Sequence, residues 1–221
     1  DSSLNEFDWT EYSENNYPRA KQFHTKTYKK EKEIIKEGTP NSNSLISFTP
    51  LCKSEFIDGI SLDNCIMENI CLGNQFKILL DKYVNYLTEN FCRPSAKFSG
   101  PYGKNDIILD GSCIDAIPRN IILKNNTWNI IDQEWNMNVP IYLSLILYRA
   151  LYSLFDCPDF IELIINRYNF KTPKTINDYI YLILKTNYNW INNSQFNLQY
   201  FNEFEQAFRK YGAGVGPEEL K

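Results

Sequence analysis

Apolar and polar residues alternate over residues 7–12, as they do in a half-buried strand, and short segments rich in Thr, aromatic residues or Ile indicate further strands in the first quarter of the chain. Beyond Ser61 the period changes, and apolar residues recur every three or four positions, which is typical of helices that face a core. Because strands are grouped before helices, the pattern indicates an α+β fold. The strands are predicted at residues 7–12, 23–28, 32–36, 45–51, 120–123 and 128–131. The helices are predicted at residues 62–72, 75–91, 140–155, 160–168, 175–186 and 198–211.

The helix predicted over residues 140–155 is almost wholly apolar around Arg149, so we expect it to be the central buried helix. Pro140 suits its first turn, where a backbone N–H has no partner within the helix. Arg149 should either pair with an internal carboxylate or extend its charged end to solvent.

The composition excludes several classes of function. The net charge is −4, so the 221-residue chain lacks the basic excess of a nucleic-acid-binding protein. It contains no apolar run of about 18 uncharged residues, so no membrane span is expected. His24 is the only histidine, which removes most Ser–His–Asp and Cys–His catalysis and any multi-histidine metal site. The cysteines form no C-x-x-C pair, and we expect scattered buried thiols in a reducing, cytoplasmic compartment rather than a zinc site.

The chemistry must therefore rest on carboxylates, amides, hydroxyls, lysine or arginine, and one stretch groups such residues. It contains Asp115, Asn120 and Asp132, the last of which follows a short predicted strand. Mg²⁺ prefers hard oxygen ligands, and the amide of Asn120 and the carboxylate of Asp132 can meet across one hairpin. Asp115, on the preceding loop, can then orient and deprotonate an acceptor hydroxyl, as phosphoryl transfer requires. Taken singly, Asp115 and Asn120 are better explained by a turn with side-chain hydrogen bonds, which Asp and Asn favour.

The same stretch resembles the catalytic loop and the metal-binding segment of the protein kinase-like superfamily. The chain is similar to small-molecule kinases of the aminoglycoside and choline kinase type. It is closer still to kinase-like domains of bacterial surface-polysaccharide proteins, including O-antigen kinase–methyltransferases. The motifs are Tyr-Ser-x-Asn at residues 12–15, Phe-x-Thr-x-Thr at 23–27, a hinge-like segment at 54–62, the Asp–Asn loop at 115–120 and Ile-Asp-Gln-Glu-Trp at 131–135.

The resemblance implies a minimal bilobal kinase-like fold. Its reduced, strand-rich first lobe would occupy residues 1–57, and its helical second lobe residues 58–211, with a flexible tail at 212–221. ATP and Mg²⁺ are the cofactors that such a fold implies.

In the second lobe, the resemblance makes Asp115 the catalytic base and makes Asn120 and Asp132 metal ligands. Glu134 would join the metal site, or it could equally be a surface ion-pair partner. Arg119 could bind phosphate in place of the lysine that protein kinases carry two residues after the base.

In the first lobe, the resemblance assigns Lys36 to the strand lysine that binds the ATP phosphates, with Lys30 and Lys32 as alternatives. Backbone groups of residues 55–57 would hold the adenine, and Ser61 begins the helix after the hinge. The residues assigned to nucleotide binding are thus Lys36, Glu55, Phe56, Ile57 and Ser61.

The chain departs from the family pattern at several points. No glycine-rich loop separates the first two predicted strands, Cys113 stands where most relatives have histidine, and the metal segment reads Asp132-Gln-Glu in place of Asp-Phe-Gly. The helix predicted from Pro140 follows Asp132 so closely that it leaves no room for a long activation segment. This favours a small-molecule or glycan acceptor over a protein.

We therefore expect Mg²⁺-dependent transfer of the ATP γ-phosphate to a hydroxyl of a sugar or surface glycan. Two alternatives stay open. One is an effector-type protein kinase with a reduced first lobe and a protein substrate. The other is a catalytically weak pseudokinase or interaction module, which the missing glycine-rich loop favours.

Overall fold

The structure of the protein is a computed structural model. It describes residues 5–7, 25–30, 33–38, 41–42, 46–49, 53–55, 57–93, 106–169, 175–188 and 198–212. Side chains are described at 46–49, 57–93, 106–169, 175–188 and 198–209. The Tyr-Ser-x-Asn motif, Phe56 and the predicted tail beyond Gly212 lie outside the described residues, as do the side chains of Lys36 and Glu55.

The described part of the chain contains twelve strands and six α-helices. The strands are β1 Asn5–Phe7, β2 Thr25–Lys30, β3 Glu33–Gly38, β4 Asn41–Ser42, β5 Ile46–Phe48, β6 Lys53–Glu55, β7 Ile60–Ser61, β8 Ile108–Leu109, β9 Ile121–Lys124, β10 Thr127–Ile130, β11 Trp135–Met137 and β12 Ile141–Tyr142. The helices are α1 Leu62–Asn69, α2 Gln75–Phe91, α3 Leu143–Leu154, α4 Pro158–Tyr168, α5 Ile176–Asn187 and α6 Leu198–Gly212. The predicted α+β class is confirmed, while the bilobal division stays a prediction.

Four small antiparallel sheets organise the strands. One sheet has the order β1-β2-β3-β6, and the others are β10-β9-β7, β11-β5-β4 and β12-β8. Strand β5 belongs to the predicted first lobe, yet it pairs with β11, which follows the predicted metal segment. The two parts of the sequence therefore meet directly beside the candidate site.

Helix α3 is the central buried helix, as predicted. All of its residues except Tyr152 are buried, and apolar side chains of α1, α2, α4 and α5 pack in the same core. The predicted start at Pro140 is wrong, because Ile141 and Tyr142 pair with β8 and the helix begins at Leu143.

Local sequence signals account for several helix ends. Thr175 and Asp178 form a reciprocal capping box at the start of α5. Pro158 occupies the first position of α4, and Asn169 ends that helix in the left-handed conformation with a φ of 51°. None of the described helices has the length and apolar character needed to cross a bilayer.

The expectation of buried thiols is only partly right. Cys113 is buried, but Cys71 and Cys92 are exposed, and Cys65 and Cys157 are half-buried. Cys52 lies outside the described residues.

Candidate functional site

The candidate catalytic loop, which we define as residues 111–120, consists of two short 3-10 turns. The first spans Gly111–Asp115 and is capped by the Asp110 carboxylate, which accepts a hydrogen bond from the Ser112 N–H at 2.9 Å. The second spans Pro118–Asn120. Gly111 lies so close to the end of β11 that an added Cβ would overlap the Met137 carbonyl oxygen. Only glycine fits at the start of this loop.

Asp115 is a buried carboxylate that is held by backbone groups. Its side chain lies at the end of the first turn, and the residue is 5% exposed. Its Oδ2 accepts hydrogen bonds from the N–H of Glu134 at 3.0 Å and of Trp135 at 2.7 Å. Its Oδ1 has no donor among the described residues. The loop is thereby fixed to the segment that follows Asp132.

Burial raises the pKa of Asp115 to about 7. The Trp135 N–H and the charge of Arg149 act in the opposite direction, and the Glu134 carboxylate adds to the rise. Such a group changes protonation near neutral pH, which is where a general base works best.

Asn120 links the loop to the β9–β10 hairpin. Its Nδ2 donates to the Asp115 carbonyl at 3.0 Å, and its own carbonyl accepts from the Ile131 N–H at 2.8 Å. Asp132, the next residue after Ile131, has a φ of 62°. Asn120 and Asp132 therefore lie at the same end of the hairpin, as the sequence predicts.

The hairpin itself follows from its turn. Asn125 and Asn126 have φ values of 50° and 62°, the left-handed conformation that a tight two-residue turn requires and that Asn tolerates. This turn fixes the register in which Lys124 lies opposite Thr127 and Ile121 opposite Ile130. The Asn-Asn pair thus determines which residues meet at the far end.

Glu134 lies between the loop and the first quarter of the chain. Its N–H donates to Asp115 and also lies 3.0 Å from the Asp132 carbonyl, and its own carbonyl accepts from the Thr49 N–H at 2.8 Å. Beside it, the rings of Phe48 and Trp135 pack with centroids 4.7 Å apart. The backbone of Glu134 joins the predicted metal segment to the residue that follows β5.

The Arg119 side chain contacts the end of α3 and the turn after it. Its guanidinium donates to the Ser153 carbonyl at 2.7 Å and to Asp156 at 2.6 Å, and its side chain is 44% exposed. A phosphate-binding role for Arg119 stays a prediction, and it would compete with this ion pair.

The other predicted nucleotide-binding residues are placed by strand pairing. Lys36 lies on β3 opposite Thr27, and Glu55 lies on β6 opposite Glu33. Ser61 lies on β7 opposite Ile122, so it shares a sheet with the β9–β10 hairpin. Ile57 precedes β7 and is half-buried.

Two further buried residues were not recognised from the sequence, one in contact with the loop and one in contact with Arg149. Tyr83 of α2 is buried, and its hydroxyl donates to the Ala116 carbonyl at 2.6 Å. Glu205 of α6 is buried and pairs with Arg149 at 3.0 Å, which confirms the predicted internal partner for Arg149. Tyr83 follows the apolar stripe of its helix, so nothing in the pattern distinguished it from an ordinary core residue.

The side-chain oxygen atoms at this end of the hairpin are of the kind that bind a hard cation, in a site with few protein ligands. The Asn120 Oδ1 has no donor among the described residues, and an amide and a carboxylate are oxygen ligands that Mg²⁺ accepts. Within the described ranges, no three acidic, histidine or cysteine side chains converge on a metal position, so Asp115, Asp132 and Glu134 form no three-carboxylate site. No family model matches the chain, and no curated protein or solved structure matches it either.

Proposed function

We propose that the protein is a Mg²⁺-dependent phosphotransferase that moves the ATP γ-phosphate to a hydroxyl, with a sugar or surface glycan as the favoured acceptor. One observation carries the proposal. Two hydrogen bonds bring the neighbourhoods of Asp115, Asn120 and Asp132 to one end of the β9–β10 hairpin: the Asn120 side chain donates to the Asp115 carbonyl, and the N–H of Ile131, which precedes Asp132, donates to the Asn120 carbonyl. This is the grouping that phosphoryl transfer needs.

In this proposal the residues divide the work between them. Asp115 accepts the proton of the acceptor hydroxyl, because a pKa of about 7 leaves part of its carboxylate ionised at neutral pH. Asn120 and Asp132 would hold Mg²⁺ through oxygen atoms, with Glu134 beside them. When bound, the ion would neutralise phosphate charge. Lys36 would contact the phosphates, and the backbone of residues 55–57 would contact the adenine.

The short connection after Asp132 supports a small acceptor. Helix α3 begins at Leu143, and only the brief strands β11 and β12 lie between it and Asp132. Both strands are paired, β11 with β5 and β12 with β8. A long segment that could dock a protein substrate has no place between these elements.

A second candidate function is a nucleotide-binding or interaction module without catalysis. The burial of Asp115 favours it, since the residue is 5% exposed and its Oδ2 already accepts two backbone hydrogen bonds. A carboxylate in this position can serve the fold alone. The two candidates differ in whether nucleotide is turned over.

The test compares Asp132→Asn with Asp159→Asn in a Mg²⁺-dependent ATP turnover assay. Asn tolerates the left-handed backbone at position 132 as Asp does, so the variant removes the charge without straining the backbone. We expect Asp132→Asn to fall to the background rate and Asp159→Asn, an exposed residue of α4, to keep the rate of the parent.

Equal turnover in the parent and Asp132→Asn would reject the metal-ligand role. Mg²⁺-dependent binding of ATP by the parent without any turnover, across a panel of sugar acceptors, would favour the non-catalytic module.

A further inference from the structure

A chain of alternating charges connects helix α6 to the candidate catalytic loop. Arg149 of α3 pairs with Glu205 of α6 at 3.0 Å, and Glu205 also accepts from Arg209 at 2.8 Å. Arg209 pairs with Asp156 at 3.0 Å, and Asp156 pairs with Arg119 of the loop at 2.6 Å. We call these five residues the ion-pair chain. Its two carboxylates each lie between two guanidinium groups.

The Arg149–Glu205 part of the ion-pair chain is buried. The side chains of Arg149 and Glu205 are 6% and 4% exposed. The Arg149 guanidinium also lies 3.9 Å from the centre of the Phe208 ring, and its Nε is buried without a hydrogen-bond partner in the described part of the molecule. A buried charge that loses its partner is strongly destabilising, so Arg149 ties α6 to the core.

One end of the ion-pair chain lies in the candidate catalytic loop, and the other end is linked to it through Phe208 and Trp135. At one end, Arg119 is itself a loop residue. At the other end, the Phe208 ring of α6 packs edge-on against Trp135 with centroids 5.6 Å apart, and the Trp135 N–H is a donor to Asp115. Residues Glu205, Phe208 and Arg209 lie within two turns of α6. One face of this helix therefore contacts the partners of both Asp115 and Arg119.

We propose that helix α6 positions the candidate catalytic loop, through Glu205, Arg149 and Phe208 at the Asp115 end and through Arg209 and Asp156 at the Arg119 end. The positioning is a property of the fold. Its consequence, that α6 controls the geometry of the site, rests on the proposed function.

Half-exposed members of the chain allow a test that leaves the core intact. Asp156→Asn removes the carboxylate that joins Arg119 to Arg209, at a site where that side chain is 40% exposed. Asp159→Asn is the matched control, because Asp159 is an exposed carboxylate only three residues away with no ion pair in the described part of the chain. The readout is hydrogen exchange of a peptide that covers residues 111–120, in which the amides of Cys113, Ala116 and Asn120 are hydrogen-bonded.

We expect Asp156→Asn to speed exchange of these loop amides about three- to fivefold, the effect of losing half-exposed ion pairs. The backbone amides of α2, a helix that contributes no residue to the ion-pair chain, should exchange as in the parent. Equal loop exchange in Asp156→Asn and Asp159→Asn would overturn the proposal. Equal acceleration in the loop and in α2 would overturn it too, because that result means general destabilisation.

The buried end of the ion-pair chain is tested with the variant Glu205→Gln and its control Glu203→Gln. Glu203 lies on the exposed side of the same helix and contacts Gln199. We expect the first variant to speed loop exchange by more than Asp156→Asn does, and the second to leave it unchanged. If Glu205→Gln does not fold, Asp156→Asn still decides the matter.

Nucleotide affinity separates this inference from the proposed function. If the loop loosens in Asp156→Asn and Mg²⁺·ATP binds the parent, the variant should bind it several-fold more weakly. If the loop loosens and no form of the protein binds nucleotide, the positioning by α6 stands and the proposed function falls.

Discussion

Asp115 and Arg119 lie four residues apart on one loop, yet they are held in opposite ways. Asp115 is 5% exposed and accepts backbone hydrogen bonds from Glu134 and Trp135. Arg119 has a side chain that is 44% exposed and is held by Asp156 and a carbonyl of α3. Two charged residues that the sequence analysis assigns to the same catalytic loop therefore occupy different environments.

The difference shows what each contact can contribute. Hydrogen bonds to a buried carboxylate are costly to leave unmade, whereas an exposed ion pair is worth little. The Asp115 end should thus determine the stability of the loop, and the Arg119 end should adjust its position.

The largest expected effect is at the buried end. Gly111→Ala would place a Cβ against the Met137 carbonyl oxygen and 2.6 Å from that of Val139, and backbone atoms cannot move aside cheaply. We expect a loss of about 3 kcal/mol or more in the free energy of unfolding, measured by urea denaturation. Gly73→Ala is the control, since a Cβ there meets nothing within 4 Å and only the φ of 50° opposes it. That control should cost about 1–2 kcal/mol, and an equal loss in both variants would contradict tight packing at Gly111.

The second-largest effect is expected in the pH dependence of stability, which reports on the buried carboxyl of Asp115. Because the folded protein raises the pKa of Asp115 from 3.8 to about 7, it keeps a proton that the unfolded chain releases. This stabilisation is complete below pH 3.8 and is lost as the pH rises through 7. As the pH rises between those values, the free energy of unfolding of the parent should therefore fall relative to that of Asp115→Asn, by up to about 1.4 kcal/mol per pH unit.

Asp115→Asn keeps an oxygen acceptor for the two N–H groups, so the comparison isolates the charge. The rise in the pKa of Asp106 to about 6 acts in the same direction but is common to both proteins. Parallel curves for the parent and the variant would show that Asp115 does not titrate in this range.

The smallest effect is expected at the exposed end. Arg119→Met should cost at most about 1 kcal/mol in urea denaturation, because it removes a half-exposed ion pair and keeps an apolar stem. Lys77→Met, which breaks an exposed pair with Asp81 on α2, provides a scale of about 0.3–0.5 kcal/mol. A loss of several kcal/mol in Arg119→Met would reverse the comparison between the two ends.

The parts of the fold that depend on local sequence were predictable. Helix α2 has the predicted bounds, and the strands at 120–123 and 128–131 are confirmed with ends shifted by one residue. Their hairpin places Asn120 and Asp132 at one end, as the spacing indicates. Periodicity and turn residues suffice where neighbours in the chain are neighbours in space.

The contacts that depend on distant residues were not predictable. Strand β11 pairs with β5 across about 90 positions, and its three residues alternate apolar and polar over too short a run to mark a strand by themselves. Likewise, the short β12 strand pairs with β8 and occupies the positions before α3, so the helix does not begin at Pro140 as predicted. Arg149 could be assigned a buried carboxylate, but only the packing of α6 shows that it is Glu205.

A thermal-shift titration of the parent with ATP and ADP, with and without Mg²⁺, tests the nucleotide site most directly. A ligand that binds only the folded protein raises its stability, by about 2.7 kcal/mol at a hundred times the Kd. The proposed site predicts a rise in melting temperature with ATP that requires Mg²⁺ and that is lost in Asp132→Asn. An unchanged melting temperature with every nucleotide, with or without Mg²⁺, would contradict it.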